Sequence, residues 1–555
     1  MSVLKIFRSL FFVVVLSAPF SGALAASALP SPSSVDTPPT LPLLTQPQDQ
    51  VSVKFDANGL SSLSWHGIEF FYKNTLWLNW VKMLQPDGSL ADADLSSTTS
   101  VDAANRTVTQ KFSWGLLRCA FSTNANFAFI DVTITNSSST TLDQFCLTLA
   151  ELKFPAQPAE FSSGNPMLAS NIGAPTIITE SFGSGVMALT NEDVSQPLMV
   201  GFPWKLDSAG TVFPLNVNTG QNYMYPTSLP DIERQIPAGG SLQFRLALRF
   251  GPAGTNAYAL ASDIYEKFAQ TFLFQNRWQD HRSIAGLFLA SSADGWPKNP
   301  RGFFNDPSVD VTTPSGLADF KNRLMNYADT SIAIMRDMNA QGMITWDAEG
   351  EQFPHAISYI GDPRLVEKLA PEMSGVIDDY FKKFRDAGFR VGMTLRPQQL
   401  VLSADGASAT QNEVANPAAL LVDKIAYAKN RWSATLFYID SNGDQNSPVD
   451  AQVISRVMAA NPDVLLIPEH KTTAYYGMSA PFSALTQGVA CTPPDTRLIY
   501  PKAFSAIFVP DGDIAGNWTQ LVDGVRQGDI LLFRGWFNSN ENQQVKSIYQ
   551  QAAAQ

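Results

Sequence analysis

The sequence has few cysteines and little charge, and both shortages exclude classes of protein. Its 555 residues contain three cysteines, Cys119, Cys146 and Cys491, so it is not a disulfide-stapled scaffold, although one bridge from Cys119 to Cys146 is conceivable. Only 16% of residues are charged against 45% hydrophobic, with a net charge of −12, which is typical of a folded, mildly acidic protein. An acidic balance argues against nucleic acid or an anionic membrane as a partner.

Several catalytic motifs are also missing. The sequence contains no G-x-S-x-G nucleophile elbow, no H-E-x-x-H zinc motif, no paired C-x-x-C and no Gly-rich phosphate loop after a predicted strand. Cys491 has no neighbouring histidine and is interpreted as a structural thiol. We therefore expect neither a redox nor a nucleotide cofactor.

Long apolar runs are absent after the N-terminus. Lys5 and Arg8 precede the apolar residues 10–16, and residues 23–25 (Ala-Leu-Ala) match a signal-peptidase site, so residues 1–25 are predicted to be a signal peptide. An uncleaved anchor is the alternative, but the run is shorter than the roughly 20 apolar residues of a membrane span. We expect a secreted or periplasmic protein without a membrane span after cleavage, beginning with a Pro/Ser-rich linker over residues 26–49.

Residues 50–255 alternate apolar and polar side chains in short segments separated by Gly, Asn, Ser and Pro. The clearest alternations cover residues 128–135 and 242–250. A period of two residues is typical of strands with one buried face, so this region is predicted to be an antiparallel β-sandwich. Residues 256–282 are predicted to contain a linking helix.

Residues 283–555 are predicted to form a (β/α)8 TIM barrel, because apolar strands and amphipathic helices alternate throughout them. An open doubly wound sheet is the alternative architecture. The eight predicted strands cover residues 284–290, 343–346, 389–395, 434–439, 464–467, 498–500, 506–509 and 530–533. A single helix is predicted over residues 364–387, with Gly388 as its stop.

In such a barrel the active site lies at the carboxyl ends of the strands. Asp440 follows the predicted fourth strand and Glu469 the fifth, and glycoside hydrolysis needs two carboxyl groups held across the scissile bond. We predict Asp440 as nucleophile or base and Glu469 as acid. The structural alternatives are a capping role for Asp440 and an ion pair of Glu469 with Lys471 or Arg396.

Further residues at these carboxyl ends, here called the barrel mouth, are predicted to bind substrate. Asp347 and Glu349 form a competing carboxylate pair and share a loop with Trp346 and His355. Arg396 would orient a carboxylate or a substrate hydroxyl, although a structural ion pair with the mouth carboxylates is the stronger interpretation. The remaining predicted substrate-binding residues are Asp511 and Trp536.

The mouth loops are also rich in aromatic residues, whose flat faces suit a sugar ring. Ordinary packing is the alternative for each of them. They are Trp296, Trp346, Tyr359, Tyr475, Tyr476 and Trp536.

No metal site is predicted, although Asp440, Asn442 and Asp444 have the alternating oxygen ligands of a calcium loop. That motif is incomplete, because Gln445 occupies the position of its glycine and Ala451 that of its glutamate.

A sandwich, a linking helix and a barrel with Asp440 after its fourth strand together resemble the alpha-galactosidase and alpha-glucosidase type of glycoside hydrolase. The resemblance implies that Asp440 is the nucleophile and that the acid follows a strand near the sixth, where this sequence offers no clear aspartate. Glu469 and Asp511 look more like the alpha-amylase arrangement, with Tyr438 at the position of its arginine. Residues 346–355 and 359–363 are similar to a block in uncharacterised exported bacterial proteins.

These observations favour a glycoside hydrolase that acts on poly- or oligosaccharides. The alternative is a glycan-binding protein that keeps the barrel and the aromatic residues but does not catalyse.

Overall fold

In the computed structural model of this protein, antiparallel sheets come first and a parallel barrel follows. This order confirms the predicted fold class of a β-sandwich followed by a (β/α)8 barrel. The structure describes residues 51–73, 76–156, 167–170, 173–196, 198–203, 205–207, 210–219, 234–290, 295–350, 360–402, 409–443, 450–488 and 490–554.

Two large sheets and one small sheet build the sandwich. The seven-stranded sheet contains, in spatial order, Ile177–Ser181, Gly185–Asn191, Ser241–Pro252, Phe127–Asn136, Gly115–Asn124, Thr107–Phe112 and Ser97–Asp102. The eight-stranded sheet contains Met167–Ser170, Met199–Phe202, Gly210–Asn218, Thr141–Leu152, Trp77–Leu84 and Leu90–Asp92, with Lys205–Asp207 and Phe71–Lys73 at its side. The small sheet contains Val51–Asp56, Gly59–Trp65 and Ile68–Glu69.

Side-chain alternation determines which face of these strands is buried. In Phe127–Asn136 every second residue is buried, and this strand pairs antiparallel with Ser241–Pro252. Ile130 lies opposite Leu246 in that register. Paired residues point to the same face of a sheet, so the apolar side chains of both strands enter the core between the sheets.

No disulfide joins the three cysteines, all of which are described and buried. Cys119 lies in the core between the sheets, whereas Cys146 alternates with the core residues Phe145 and Leu147 and contacts Asn79 Nδ2 through its sulfur at 3.3 Å. The two thiols therefore lie on different sides of a sheet, which explains why the conceivable disulfide is not formed.

A buried arginine joins the sandwich to the linking helix, Ala257–Thr271. The Arg249 side chain is fully buried, and its Nη2 donates to both carboxylate oxygens of Glu192 at 2.9 and 3.0 Å. The same nitrogen donates to Asp263 Oδ2 at 2.9 Å. Because Glu192 belongs to the sandwich and Asp263 to the helix, one guanidinium holds the two elements together.

Eight parallel strands form the barrel. The first to eighth barrel strands are Ile284–Leu287, Gly342–Thr345, Gly392–Leu395, Leu436–Ile439, Leu465–Pro468, Phe482–Ala484, Ala506–Phe508 and Ile530–Arg534. Neighbouring strands pair in the order 5-4-3-2-1-8-7-6, and no ladder joins the fifth and sixth strands in the part of the chain that is described. The barrel is nearly closed there, because the Ala480 N–H donates to the Leu466 carbonyl at 2.9 Å.

The barrel strands are buried on both faces, as their continuous apolar sequences require. Ile344 and Leu436 are among the side chains that point into the barrel, and Met343 and Phe437 pack outward against the helices. The helices after the linking helix are Pro314–Asp337, Val366–Leu369, Ile377–Asp386, Pro417–Trp432, Ala451–Ala460, Pro494–Ile499, Trp518–Arg526 and Asn540–Ala553. A hairpin, Gln399–Leu402 and Ala409–Asn412, follows the third barrel strand.

Two sequence predictions in the barrel are wrong. Residues 498–500 are not the sixth strand but the end of helix Pro494–Ile499, and the sixth strand is the short segment Phe482–Ala484, which has too few residues for a recognisable pattern. The single helix expected over residues 364–387 is broken into short pieces. Pro371 and Gly375, whose φ is +71°, interrupt it.

No helix within the described ranges is long and apolar enough to cross a membrane. The signal peptide and the linker lie outside those ranges and stay predictions.

Replacing Arg249 with methionine should lower the free energy of unfolding by about 3–5 kcal/mol, since Glu192 and Asp263 would lose their shared buried partner. Urea denaturation measures this change. Arg245→Met is the matched control on the same strand, because Arg245 is half-exposed and its pair with Asp131 should contribute about 1 kcal/mol or less. Equal losses in both variants would contradict the joining role of Arg249.

Candidate active site

Asp440 lies at the carboxyl end of the fourth barrel strand, directly after Ile439. Its N–H donates to the Leu395 carbonyl at 2.8 Å, which continues the ladder to the third strand. The residue is 6% exposed. A rigid strand end therefore fixes this carboxylate at the floor of the barrel mouth.

Arg396, after the third barrel strand, holds the Asp440 carboxylate. Its Nε donates to Asp440 Oδ2 at 2.5 Å, and its Nη2 contacts the same oxygen. Burial raises the pKa of Asp440 to about 6, the Arg396 charge opposes this shift, and the Glu469 charge adds to it. The ion pair with Arg396 favours the anionic form of Asp440. Arg396 thus forms an ion pair with a mouth carboxylate, which is the structural role considered for it above.

Ser441 connects the two predicted catalytic carboxylates. Its hydroxyl donates to Asp440 Oδ2 at 3.2 Å, and its backbone N–H donates to Glu469 Oε2 at 2.8 Å. The φ of Ser441 is +52°, a left-handed conformation that is uncommon for a residue with a Cβ atom. Such conformations are enriched at functional sites, where the surroundings hold them.

Glu469 follows the fifth barrel strand and is the more accessible member of the pair. Its N–H donates to the Ile439 carbonyl at 3.0 Å, and its side chain is 30% exposed. His470 Nε2 lies 3.7 Å from its Oε2. Lys471 donates to Ser483 Oγ at 2.8 Å, and the described ion pairs include none between Lys471 and Glu469. One carboxylate is thus buried and the other faces solvent.

Asn442 links the loops after the fourth and fifth strands. Its Oδ1 accepts from the His470 N–H at 2.9 Å, and its Nδ2 donates to the His470 carbonyl at 3.0 Å. Among the described residues no group of His, Cys, Asp and Glu suits a metal ion. Asp444 lies outside the described residues, so the calcium hypothesis stays untested.

Six aromatic side chains, here called the aromatic floor, cover the carboxyl end of the barrel interior. Trp346 stacks on Phe288 with ring centres 5.2 Å apart and lies 4.8 Å from Tyr438. Trp536 lies 5.3 Å from Phe288. Trp346 and Tyr438 are buried, and the other four rings are partly exposed. The members are Phe288, Trp346, Tyr438, Phe482, Phe508 and Trp536.

Two other predicted aromatic residues do not offer a free face. Tyr475 is fully buried, and the Tyr476 hydroxyl lies 3.3 Å from Ser505 Oγ inside the fold. Trp296 is partly exposed in the loop after the first strand. Tyr359 and His355 lie outside the described residues, and the prediction for His355 is untested.

Asp347 and Glu349, in the loop after the second strand, lie beneath the mouth with 0% and 1% exposure. The two Asp347 oxygens accept the N–H groups of Leu289 and Ala290, each at 2.7 Å. Glu349 Oε1 accepts from the Asp362 N–H at 3.0 Å. Burial raises the pKa of Glu349 to about 8, with the Asp362 and Asp347 charges adding, so Glu349 is protonated at neutral pH.

Asp511 and Arg534 lie at the ends of the seventh and eighth strands, on the side of the mouth away from Asp440. Arg534 contacts Asp511 through Nη2 and donates to Glu541 Oε2 through Nη1 at 3.0 Å. The Asp511 N–H also donates to Glu541, at 2.9 Å. Sequence reasoning missed Glu541, because it lies on helix Asn540–Ala553 and not at a strand end.

Sequence reasoning also missed Lys424, a fully buried lysine on helix Pro417–Trp432. Its Nζ lies 3.6 Å from Asp362 Oδ2 and close to Arg396. The sequence did contain a signal. Lys424 shares one face of the helix with the buried residues Leu421, Ile425 and Ala428, and a charge in such an apolar stripe is unusual.

A separate concavity of about 550 Å³ lies between the sandwich and the linking helix. Its charged side chains are already engaged, since Asp131 pairs with Arg245 and Lys267 binds the Glu192 carbonyl. We assign no ligand to it.

The fold and site define a sandwich-and-barrel protein with a carboxylate pair at the barrel mouth, and several solved glycosidases are similar to it. The galactosidase domain of the alpha-galactosidase-sucrose kinase AgaSK matches with a TM-score of 0.44 and 10% identity, over 90% of this chain and 76% of that chain. The GH36 alpha-galactosidase AgaA from Geobacillus stearothermophilus, in complex with 1-deoxygalactonojirimycin, matches with a TM-score of 0.41 and 11% identity, over 85% and 75%. AgaB from the same organism matches with 0.41 and 11%, over 85% and 74%.

No protein-family model matches the sequence, and no curated protein does. At these identities no catalytic residue is carried over from the solved enzymes. The roles in this chain rest on its own geometry.

Glu349→Gln should change how stability depends on pH. The folded-state pKa of Glu349, about 8, lies above the ordinary value of 4.5, so the native protein binds more protons than the unfolded chain between these pH values. The wild-type protein should therefore lose stability relative to Glu349→Gln as pH rises from 4.5 to 8. Melting temperatures across this range measure the difference, and a difference independent of pH would contradict the buried neutral acid.

Proposed function

We propose that the barrel mouth hydrolyses glycosidic bonds of oligo- or polysaccharides, with Asp440 as nucleophile or base and Glu469 as acid. The observation that supports this best is the pair of carboxylates at the ends of adjacent barrel strands, connected through Ser441. Glycosidases use two such groups on either side of the scissile bond.

The environments of the two carboxyl groups differ, and we assign their roles from the ion pair of Asp440 and the solvent access of Glu469. Arg396 pairs with Asp440, which favours the anion that attacks the anomeric carbon or deprotonates water. Glu469 reaches solvent and can donate a proton to the glycosidic oxygen. The bond between the anomeric carbon and that oxygen breaks, and the leaving sugar keeps the Glu469 proton. Water supplies the hydroxyl of the other product, and its remaining proton passes to Glu469 if Asp440 is the nucleophile or to Asp440 if it is the base.

The aromatic floor supplies an apolar surface for the C–H face of a sugar ring, beside polar groups that can bind its hydroxyls. Trp536 and Asp511 contribute to this surface from the seventh and eighth strands. Trp346 belongs to this surface, and the buried Asp347 and Glu349 support its loop from beneath.

We also propose that the reaction takes place outside the cytoplasm, after removal of the predicted signal peptide. The two carboxyl groups and water are sufficient for hydrolysis, so the proposal includes no cofactor.

Asp440→Asn and Glu469→Gln should each reduce sugar release by at least about 100-fold, because each removes one of the two groups that the reaction requires. The assay measures reducing-sugar release from alpha- and beta-linked glycans, including raffinose and stachyose. Asp463→Asn is the matched control, since this exposed carboxylate pairs with Lys429 away from the mouth.

Unchanged release by both mouth variants, with melting temperatures equal to that of the wild type, would refute these catalytic assignments. Glycan binding by the wild-type protein without any release would favour the alternative of a glycan-binding protein.

Trp536→Ala should weaken glycan binding by about 10- to 100-fold, the loss expected when a large aromatic contact is removed. Titration calorimetry with the best substrate, in the Asp440→Asn background, measures this loss without turnover. Trp518→Ala is the control, because Trp518 is a partly exposed tryptophan on an outer helix. Equal affinities in both variants would exclude the aromatic floor from the binding surface.

A further inference from the structure

Lys424 is fully buried on helix Pro417–Trp432, and its ammonium group donates to three backbone carbonyls. The carbonyls belong to Gly361, Arg396 and Gln398, at 3.0, 2.7 and 2.9 Å. An ammonium has three N–H donors and no acceptor, so the three carbonyls match its full donor set. This degree of organisation around one buried charge needs an explanation, because burying a lysine is unfavourable.

One path leads from Lys424 to Asp440 through Arg396. Lys424 binds the Arg396 carbonyl, while the Arg396 N–H donates to the Gly361 carbonyl at 3.0 Å. The Arg396 backbone is therefore held on both sides, and its guanidinium extends from this fixed position to the Asp440 carboxylate.

Gly361 shows how closely the chain segments pack at this point. Its φ is +63°, and a Cβ atom there would lie 2.6 Å from the Arg396 nitrogen. Only glycine lets its carbonyl accept from both Lys424 and the Arg396 N–H.

A second path leads from Lys424 through Gln398 to Ser441. Lys424 binds the Gln398 carbonyl, and Gln398 Nε2 donates to the Ser441 carbonyl at 2.8 Å. The same amide donates to Glu413 at 2.8 Å. Ser441 is the residue whose hydroxyl and N–H hold Asp440 and Glu469.

We infer that Lys424 is a positioning residue that fixes Arg396 and Ser441, and through them the two mouth carboxylates. This inference deepens the proposed hydrolase function and rests on it. Lys424 touches neither carboxylate of the pair; its contacts are the backbone carbonyls behind them and the Asp362 carboxylate at 3.6 Å. Burial lowers the pKa of Lys424 to about 8, and the Asp362 charge opposes this shift.

The test compares Lys424→Met with Lys429→Met, a lysine-to-methionine change on the same helix at a position that pairs with Asp463. A misplacement of the catalytic groups by about 1 Å can lower the rate about 100-fold. We therefore expect kcat of Lys424→Met to fall by about 100-fold, while its KM stays within about twofold of the wild-type value. Lys429→Met should behave like the wild type.

The pH profile separates positioning from a general loss of folded protein. The groups that face Asp440 are Arg396, Glu469 and the Ser441 hydroxyl; Arg396 and the Ser441 hydrogen bond lower its pKa, and the Glu469 charge raises it. A displaced Arg396 would raise that pKa, so the acid limb of kcat/KM should move to higher pH in Lys424→Met. A variant that only lost folded protein would keep the limb in place.

A crystal structure of the full-length variant tests the inference independently of activity. The distance from Arg396 Nε to Asp440 Oδ2 should increase from 2.5 Å in Lys424→Met. If Lys424→Met does not fold, Lys424→Gln, which keeps two N–H donors, should show the same changes to a smaller extent.

An unchanged Arg396–Asp440 distance, or an unchanged kcat and pH profile in a folded variant, would overturn the role of Lys424. A lengthened distance in a protein that releases no sugar would support the positioning role and count against the hydrolase proposal instead.

Discussion

The buried Asp440 carboxylate is the constraint on which the barrel mouth depends. A charge at 6% exposure is unfavourable unless it is paired, and Arg396 supplies the partner. Arg396 can do so only from a fixed backbone, which Lys424 and Gly361 provide. Three chain segments that are distant in sequence thus converge because one carboxylate lies inside the fold. The second carboxylate, Glu469, remains open to solvent and needs only the Ser441 N–H and its histidine neighbour.

The sandwich is held to this unit by a second buried charge. Arg249 is fully buried between Glu192 of the sandwich and Asp263 of the linking helix. A second contact joins the sandwich to the barrel: the Gly173 carbonyl of the sandwich accepts from the Ala474 N–H at 2.7 Å, next to the loop that carries Glu469. The sandwich therefore supports the barrel and also reaches the edge of its mouth.

The sequence predicted what depends on local periodicity and on strand ends. Alternation located the sandwich strands, and the strand-end rule located Asp440, Glu469 and Arg396 because their strands are continuous apolar runs. The rule failed for Phe482–Ala484, a strand of three residues, and the helix at Pro494–Ile499 was taken for the missing strand. Side chains that approach the site from helices, such as Lys424 and Glu541, could not be placed by strand ends. Their partners are backbone groups and side chains fixed only by the tertiary fold.

No ladder joins the fifth and sixth barrel strands within the described residues, so the hydrogen bonding around the barrel is asymmetric. Asp440 and Glu469 both follow strands of the continuous ladder, and Glu469 follows the strand at its end. Glu469 follows the fifth strand, which borders the unpaired seam between the fifth and sixth strands. In the described chain, the Ala480 N–H bond to Leu466 and the hydrogen bond from Lys471 to Ser483 cross this seam. Widening the mouth on that side breaks few hydrogen bonds. Because the ladder between the fourth and fifth strands joins the segments that carry Asp440 and Glu469, such a widening would leave the spacing of the two carboxylates in place.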